Sequence, residues 1–385
     1  MSTISNWPGL PKGIQSRTQS INDLEMHILE AFPSIARTSK PPLVILLHGF
    51  PEMSYSWRKI MGPLSQAGYH VVAPDQRGYG RTKISGESIV KYEDDLTPFR
   101  MTNLVKDIVT LVYTLGYESV AAVVGHDFGS PVAAYCALIR PDLFKSVVLM
   151  SAPFTGPPKL SLGNARPSLD FKKVVEDFAA LTPPRKHYWF YCSTPEANAH
   201  MTKPPGGLHA FLREYYHMKS ADWKGNAPHP LSALDAGVMA ELPHYYVMPL
   251  DATMPEAVHP FGPSAEEIQG NVWLTEEELN VYTAEYARTG FQGGLNSCYR
   301  IATSPAWSSD LELFSGKQIE VPAMFLAGTQ DWGTYQLPGG VEAMRGRACK
   351  NMEDFVLIDG AGHWVQQEQS DKVVEHLLKF LGKHQ

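Results

Sequence analysis

Short apolar segments alternate with helical patterns along the first part of the chain. Between Met101 and Tyr117 the apolar residues recur at helical spacing, which predicts an amphipathic helix. Residues 14–20 and 24–30 have the pattern of an antiparallel hairpin. Predominantly apolar runs, typical of parallel strands covered on both faces, lie at residues 43–47, 70–73, 120–124 and 146–150. This order predicts a mostly parallel central sheet flanked by helices, with right-handed crossovers.

The alternation stops after Pro153. From Phe154 to about Ile301 the chain is rich in Pro, Gly, His and aromatic residues, and only the capping signature that begins at Thr275 clearly predicts a helix. Alternation then resumes, with apolar runs at 322–327 and 355–358 and a terminal amphipathic helix at 372–381. We therefore expect an α/β core made of residues 1–154 and 306–385, with a mainly helical cap inserted at 155–305.

Composition narrows the classes of protein. The chain has 385 residues, of which 44% are hydrophobic, so it can bury a large core. Its net charge of -7 argues against nucleic acid as a main partner. The first residues lack the pattern of a secretory signal, and no apolar run is long enough for a membrane span, so we expect a cytoplasmic protein of undetermined oligomeric state. Four cysteines without metal-ligand spacing, which predict buried thiols in a reducing compartment, are Cys136, Cys192, Cys298 and Cys349.

The most informative residue is Asp127, in the segment Val123-Val-Gly-His-Asp-Phe-Gly-Ser130. An apolar run enters a glycine-flanked turn and a small-residue segment leaves it as a helix, which is the context of a nucleophile elbow. A serine at the apex would attack an acyl carbon. A carboxylate is ionised at neutral pH and can displace a leaving group at a saturated carbon. The competing interpretation is that Asp127 only caps the following helix.

Candidate partners for Asp127 follow the two strands predicted after the cap. Asp331 comes just after the run 322–327, and His363 lies in a glycine-rich loop after the run 355–358. Catalytic groups in open α/β sheets collect at the carboxyl ends of strands. The chain order of nucleophile, acid and histidine is that of the α/β-hydrolases. The other common position of the acid, residues 151–154, holds no carboxylate, which favours Asp331.

The loop His48-Gly-Phe-Pro-Glu52 follows the strand at 43–47 and is a candidate oxyanion hole. A backbone N–H from this loop and one from the residue after the nucleophile would converge on the reaction intermediate. These donors are the amides of Phe50 and Phe128. We interpret residues 75–80 as structural, with Arg77 bracing the loop.

Together, these motifs and the Ser56-Trp-Arg58 segment make the chain resemble the epoxide hydrolases of the α/β-hydrolase fold over nearly its whole length. The resemblance implies two cap tyrosines that hold the epoxide oxygen. By position these are Tyr188, in the segment His187-Tyr-Trp-Phe-Tyr191, and Tyr299, in the segment Arg288–Arg300, with Tyr191 as the rival of Tyr188. The resemblance also implies a substrate site lined by Phe50, Trp189 and Trp364. The reaction that it implies needs neither a metal nor a cofactor.

The expected activity is conversion of a lipophilic or aryl epoxide to a vicinal diol through an ester on Asp127. Haloalkane and fluoroacetate dehalogenases share the aspartate nucleophile and form one alternative. Phe128 follows Asp127 and offers only its backbone N–H, whereas an epoxide oxygen needs a proton that a tyrosine hydroxyl can supply, so the pattern favours an epoxide. A biosynthetic or ligand-binding member of the fold without this activity is the third alternative.

Overall fold

The structure is a computed structural model that describes residues 7–34, 40–160 and 170–384. Residues 1–6, 35–39, 161–169 and 385 of the predicted domains lie outside the described residues. They include most of the segment on which the absence of a signal sequence is predicted. The strands are β1 (Ile14–Ile21), β2 (Leu24–Ala31), β3 (Leu43–Leu47), β4 (His70–Pro74), β5 (Lys83–Ile84), β6 (Ala122–His126), β7 (Val147–Met150), β8 (Arg185–His187), β9 (Val247–Pro249), β10 (Ala323–Gly328) and β11 (Met352–Ile358).

The central sheet has the order β1-β2-β4-β3-β6-β7-β10-β11. The short strand β5 pairs with the first two residues of β2. The hairpin β1–β2 and the β2–β4 pair are antiparallel, whereas every pair from β4 to β11 is parallel. The predicted hairpin and the mostly parallel sheet are therefore confirmed. Strand β6 begins at Ala122, two residues later than the apolar run suggested, and it continues to His126.

Alternating side chains of the strands fill two separate cores, one on each face of the sheet. In β3, Val44 and Leu46 pack into one core, whereas Leu43, Ile45 and Leu47 pack into the other. All five residues are fully buried. This burial on both faces explains why the strand is continuously apolar rather than alternating.

Helices cover both faces of the sheet and make up most of the segment between β7 and β10, so the expected α/β-hydrolase fold with a mainly helical cap is confirmed. The cap boundaries at 155 and 305 stay predictions. The helices are α1 (Arg58–Gln66), α2 (Met101–Thr114), α3 (Gly129–Ile139), α4 (Phe171–Ala179), α5 (Tyr188–Cys192), α6 (Ala197–Thr202), α7 (Leu208–Lys219), α8 (Ala236–Met239), α9 (Met254–Val258), α10 (Ala265–Gly270), α11 (Glu276–Thr289), α12 (Gln292–Gly294), α13 (Gly340–Ala343), α14 (Val365–Glu368) and α15 (Ser370–Gly382).

The capping signature at Thr275 marks the start of α11, as predicted. The Thr275 side chain accepts a hydrogen bond from the Glu278 amide, and the Glu278 carboxylate accepts one from the Thr275 amide at 3.0 Å. These two bonds satisfy amides that a helix start would otherwise leave unpaired. The antiparallel pair β8–β9 was not predicted, because three-residue strands carry too little periodicity to be recognised.

Candidate active site

Asp127 occupies a strained turn between β6 and α3. Its φ is +51°, a left-handed conformation that non-glycine residues seldom adopt. A Cβ at Gly125 would lie 2.1 Å from the carbonyl oxygen of Gly129, so only glycine fits that close approach. The side chain of Asp127 does not cap α3, whose first residue is preceded by Phe128 without a side-chain cap. The helix-cap interpretation is therefore wrong, and the turn has the geometry of a nucleophile elbow.

Each carboxylate oxygen of Asp127 has its own neighbour. The amide of Phe50 donates to Oδ1 at 2.9 Å, and Nε2 of His363 lies 3.4 Å from Oδ2. Burial would raise the pKa of Asp127, but the neighbouring His363 imidazole holds that pKa well below its ordinary value. Asp127 is therefore a carboxylate at neutral pH.

His363 joins Asp127 to Asp331. Its Nδ1 lies 2.9 Å from Oδ1 of Asp331, and the same oxygen accepts a hydrogen bond from the Gly333 amide at 2.7 Å. Burial and the Lys219 cation lower the pKa of His363, but Asp331 and Asp127 raise it above its ordinary value overall. The three predicted residues thus meet at the carboxyl ends of β6, β10 and β11, with Nε2 of the imidazole directed to Asp127.

Three further polar residues, which the sequence did not single out, hold the His363 loop. The buried carboxylate of Glu368 accepts hydrogen bonds from the amides of Gly362 and Trp364 on either side of His363. His126 contacts the His363 carbonyl through Nε2 and Glu52 through Nδ1, both at 2.7 Å. His126 precedes Asp127 in the segment 123–130, and this adjacency is the only feature of the sequence that indicates a role for His126 in holding the His363 loop.

The structure brings Tyr188 and Tyr299 together. Tyr188 is the first residue of α5, and Tyr299 lies on a π-helical turn, Leu295–Arg300. Their ring centroids are 5.5 Å apart, and the Tyr299 ring also packs on Phe50 and Phe128 at 5.3 and 5.1 Å. Burial raises the pKa of both hydroxyls well above the ordinary value, and the negative charge of Asp127 raises both further. Both tyrosine hydroxyls are therefore protonated at neutral pH.

Tyr191, the rival of Tyr188, has different neighbours. Its hydroxyl lies 3.5 Å from Nδ1 of His200, and the ammonium of Lys186 lies 5.2 Å from its ring. The Tyr188 hydroxyl instead donates to Oε1 of Gln336 at 3.2 Å. The geometry therefore pairs Tyr188, rather than Tyr191, with Tyr299, although the catalytic role of each stays a prediction.

The remaining predicted site residues differ in how closely they contact the two tyrosines and His363. Phe50 and Phe128 contact Tyr299, whereas the half-buried Trp189 ring lies 6.3 Å from that of Tyr188. Trp364 is fully buried, packs 4.7 Å from the His363 ring and donates its indole N–H to a backbone carbonyl. Its contacts therefore hold the His363 ring directly, and its contact with substrate stays a prediction.

Arg77 braces the loop after β4, as expected. Its guanidinium donates to Asp107 and to Asp23, at distances from 2.6 to 3.0 Å. All four cysteines are buried free thiols. Within residues 7–34, 40–160 and 170–384, no helix is long and apolar enough to cross a membrane, and no cluster of three or more His, Cys, Asp or Glu side chains could hold a metal ion.

The fold and the elbow define an enzyme of the α/β-hydrolase fold, and a family model of that fold matches residues 42–183. The chain is 34% identical to epoxide hydrolase B of Mycobacterium tuberculosis over 352 residues, which cover 89% of this chain and 91% of that protein. Epoxide hydrolase A of the same organism is 32% identical over 384 residues, covering 95% of this chain and 96% of that protein.

Solved structures lead to the same family. An epoxide hydrolase from an endophytic Streptomyces superimposes with a TM-score of 0.74 at 30% identity, covering 97% of this chain and 96% of that one. Potato (Solanum tuberosum) epoxide hydrolase I has a TM-score of 0.70 at 29% identity, covering 96% and 99%. The chain belongs to the epoxide hydrolases of the α/β-hydrolase fold and is a hydrolase acting on the ether bond of an epoxide.

Proposed function

We propose that the protein converts a lipophilic or aryl epoxide to a vicinal diol through a covalent ester on Asp127. The observation that carries the proposal is the surroundings of the Asp127 carboxylate. One oxygen accepts a hydrogen bond from the Phe50 amide, and the other faces His363. The negative charge of Asp127 also raises the pKa of the Tyr188 and Tyr299 hydroxyls, which are protonated. A lipophilic substrate is supported by the rings that pack together beside this carboxylate, those of Phe50, Phe128, Tyr188 and Tyr299.

In the first step a carboxylate oxygen of Asp127 attacks one epoxide carbon and forms an ester bond. The carbon–oxygen bond of the ring breaks, and the leaving oxygen takes a proton from Tyr188 or Tyr299. The donor becomes a tyrosinate for the life of the ester. The existing hydrogen bond from Tyr188 to Gln336 holds one hydroxyl in place until the epoxide oxygen competes for it.

In the second step His363, kept in the required tautomer by Asp331, removes a proton from water. The resulting hydroxide attacks the carboxyl carbon of the Asp127 ester, and the amides of Phe50 and Phe128 stabilise the oxyanion. Collapse of this intermediate breaks the ester bond, and the departing diol oxygen takes the proton from His363. The proton on the new Asp127 carboxyl returns to the tyrosinate, so the net reaction is addition of one water to the epoxide.

Replacing His363 separates the two steps. His363→Gln lacks the base of the second step but keeps the nucleophile, so incubation with styrene oxide should give protein heavier by one substrate molecule. Intact-mass spectrometry measures this adduct, and peptide mapping locates it at Asp127. His259→Gln, which changes an exposed cap histidine, is the control and should turn over without accumulating adduct. Absence of adduct in His363→Gln despite bound epoxide would contradict the covalent mechanism.

A further inference from the structure

A buried lysine lies beside the active site and has no part in the two steps described above. Lys219 is the last residue of α7 and is only 3% exposed. Burying an ammonium group is costly unless other groups stabilise the charge. Four aromatic rings surround the Lys219 ammonium at 5.1 to 5.7 Å, namely Tyr215, Tyr245, Tyr246 and Trp364.

These rings stabilise the charge without neutralising it. Cation–π contacts attract an ammonium through the ring quadrupole, and no proton is transferred. Within the part of the chain that the structure describes, no hydrogen bond or ion pair reaches the Lys219 ammonium. A positive charge that no carboxylate contacts directly acts on its wider surroundings, because a low-dielectric interior screens it weakly.

Lys219 is fixed against the proposed base. Its carbonyl accepts a hydrogen bond from the His363 amide at 2.9 Å, and Trp364, one ring of the cage, packs 4.7 Å from the imidazole. Burial lowers the pKa of Lys219 below its ordinary value, although the carboxylates of Asp127, Asp331 and Glu52 oppose this and raise it. The charged and titratable groups around His363 are Asp127, Asp331, Glu52, His126, Lys219 and Glu368, and burial raises the pKa of Glu368 to about 8.

Alkylation of Asp127 would change the balance of charges around His363. The ester removes the negative charge of Asp127, which passes to the tyrosinate of the cap, so Asp331 is then the carboxylate in contact with the imidazole. Alone, Asp331 would favour the imidazolium, which cannot remove a proton from water. We propose that Lys219 is a positioning residue that acts through His363, and that its fixed positive charge offsets Asp331 and keeps His363 a neutral base in the alkyl-enzyme. This role rests on the proposed function.

The pH dependence of alkyl-enzyme decay tests this role. Wild type, Lys219→Met and Lys219→Arg are mixed with styrene oxide in a single turnover, and the alkylated fraction is followed by quenching and intact-mass measurement between pH 5 and 9. Without the cation the imidazolium is favoured. The midpoint of the decay profile for Lys219→Met should therefore move up by about one pH unit, with decay at pH 7 slowed several-fold. Lys219→Arg should keep a midpoint near that of wild type.

Lys186→Met is the matched control. Lys186 also contacts a tyrosine ring, but the charges that act on it are those of Asp251 and Glu256, so its loss should leave the midpoint unchanged. Lys219→Gln provides a second neutral variant, so the result does not depend on one variant folding. An unchanged midpoint in both neutral variants, including uniformly slower decay at every pH, would overturn the role of Lys219. Failure of His363→Gln, in which the second step is blocked, to form any adduct would instead overturn the covalent mechanism, and this role with it.

Discussion

His363 Nδ1 lies 2.9 Å from Asp331 Oδ1, and both side chains are buried. The imidazole therefore carries its hydrogen on Nδ1, which leaves Nε2 free to accept a proton on the side of the nucleophile. The charge and hydrogen bond of His363 keep the pKa of Asp331 below its ordinary value in spite of burial. The pair consequently acts as one unit, whose disruption should affect the second step far more than the first.

Asp331→Asn should slow decay of the alkyl-enzyme by about 10²–10⁴-fold, because the amide no longer fixes the tautomer that a general base needs. The alkylation rate should change by much less. Single-turnover quenching with an aryl epoxide measures both rates. If alkylation slows as much as decay, Asp331 acts on the nucleophile and not through His363.

Tyr299→Phe should lower the alkylation rate by up to about 10²–10³-fold, the usual effect of losing one donor to a developing oxyanion. Tyr188→Phe should behave alike, and the double variant should nearly abolish ring opening. Tyr191→Phe is the matched control, because its hydroxyl lies near His200 instead. A large loss of alkylation rate in Tyr191→Phe, or an unchanged alkylation rate in the double variant, would refute the assignment of the two donors. Thermal unfolding should change little in all three single variants, since each loses only a hydroxyl.

Diol formation should exceed halide release across a small panel of aryl and lipophilic epoxides and chloro- or bromoalkanes. The reason is that Phe128 supplies no side-chain donor for a halide, whereas Tyr188 and Tyr299 can protonate an oxygen. Chromatography quantifies the diol and a halide electrode the alternative product. Faster halide release would favour a dehalogenase, and inactivity on both would favour a specialised member of the fold.

Single-turnover reaction in heavy-oxygen water should introduce the label into Asp127. Water attacks the carboxyl carbon in the proposed second step, so the first diol released carries an unlabelled carboxylate oxygen. Peptide mass spectrometry of Asp127 and mass analysis of the diol measure the two positions. Label found only in the first diol would mean that water attacks the epoxide directly.

The strand β2 should contribute to acid sensitivity through Glu30. Burial opposes ionisation of this carboxylate, but hydrogen bonds from His70 and Arg17 lower its pKa from 4.5 to about 2. Its stabilising contribution is therefore complete above pH 4.5 and is lost as the pH falls through about 2. After allowance for solvent screening we expect a loss of about 1–2 kcal/mol in the free energy of unfolding. Urea unfolding between pH 5 and 2.5 should show a flatter profile for Glu30→Gln than for wild type, and parallel profiles would contradict this.

Local patterns in the sequence were sufficient for the sheet and for the residues at the ends of its strands. Asp127, Asp331 and His363 could be found because each follows an apolar run, and such runs need no tertiary information to be recognised. Glu368 and Lys219 were missed because their significance depends on contacts with distant segments. The π-helical turn that carries Tyr299 was not predicted either, since no local pattern distinguishes it from an α-helix and the contacts of Tyr299 with Phe50 and Phe128 join distant segments.

In the proposed mechanism, the core carries the nucleophile and base, and the cap carries the proton donors. Asp127, Asp331 and His363 are attached to the ends of sheet strands, whereas Tyr188 and Tyr299 belong to the long segment between β7 and β10. Core and cap meet through contacts such as the ion pair of Arg58 with Glu278 and the hydrogen bond from Tyr216 to Pro51. A shift of the cap by a fraction of an ångström would alter how well a given epoxide is activated while leaving the nucleophile and its base untouched. Substrate preference can therefore change through residues far from Asp127, at the seam between the two parts.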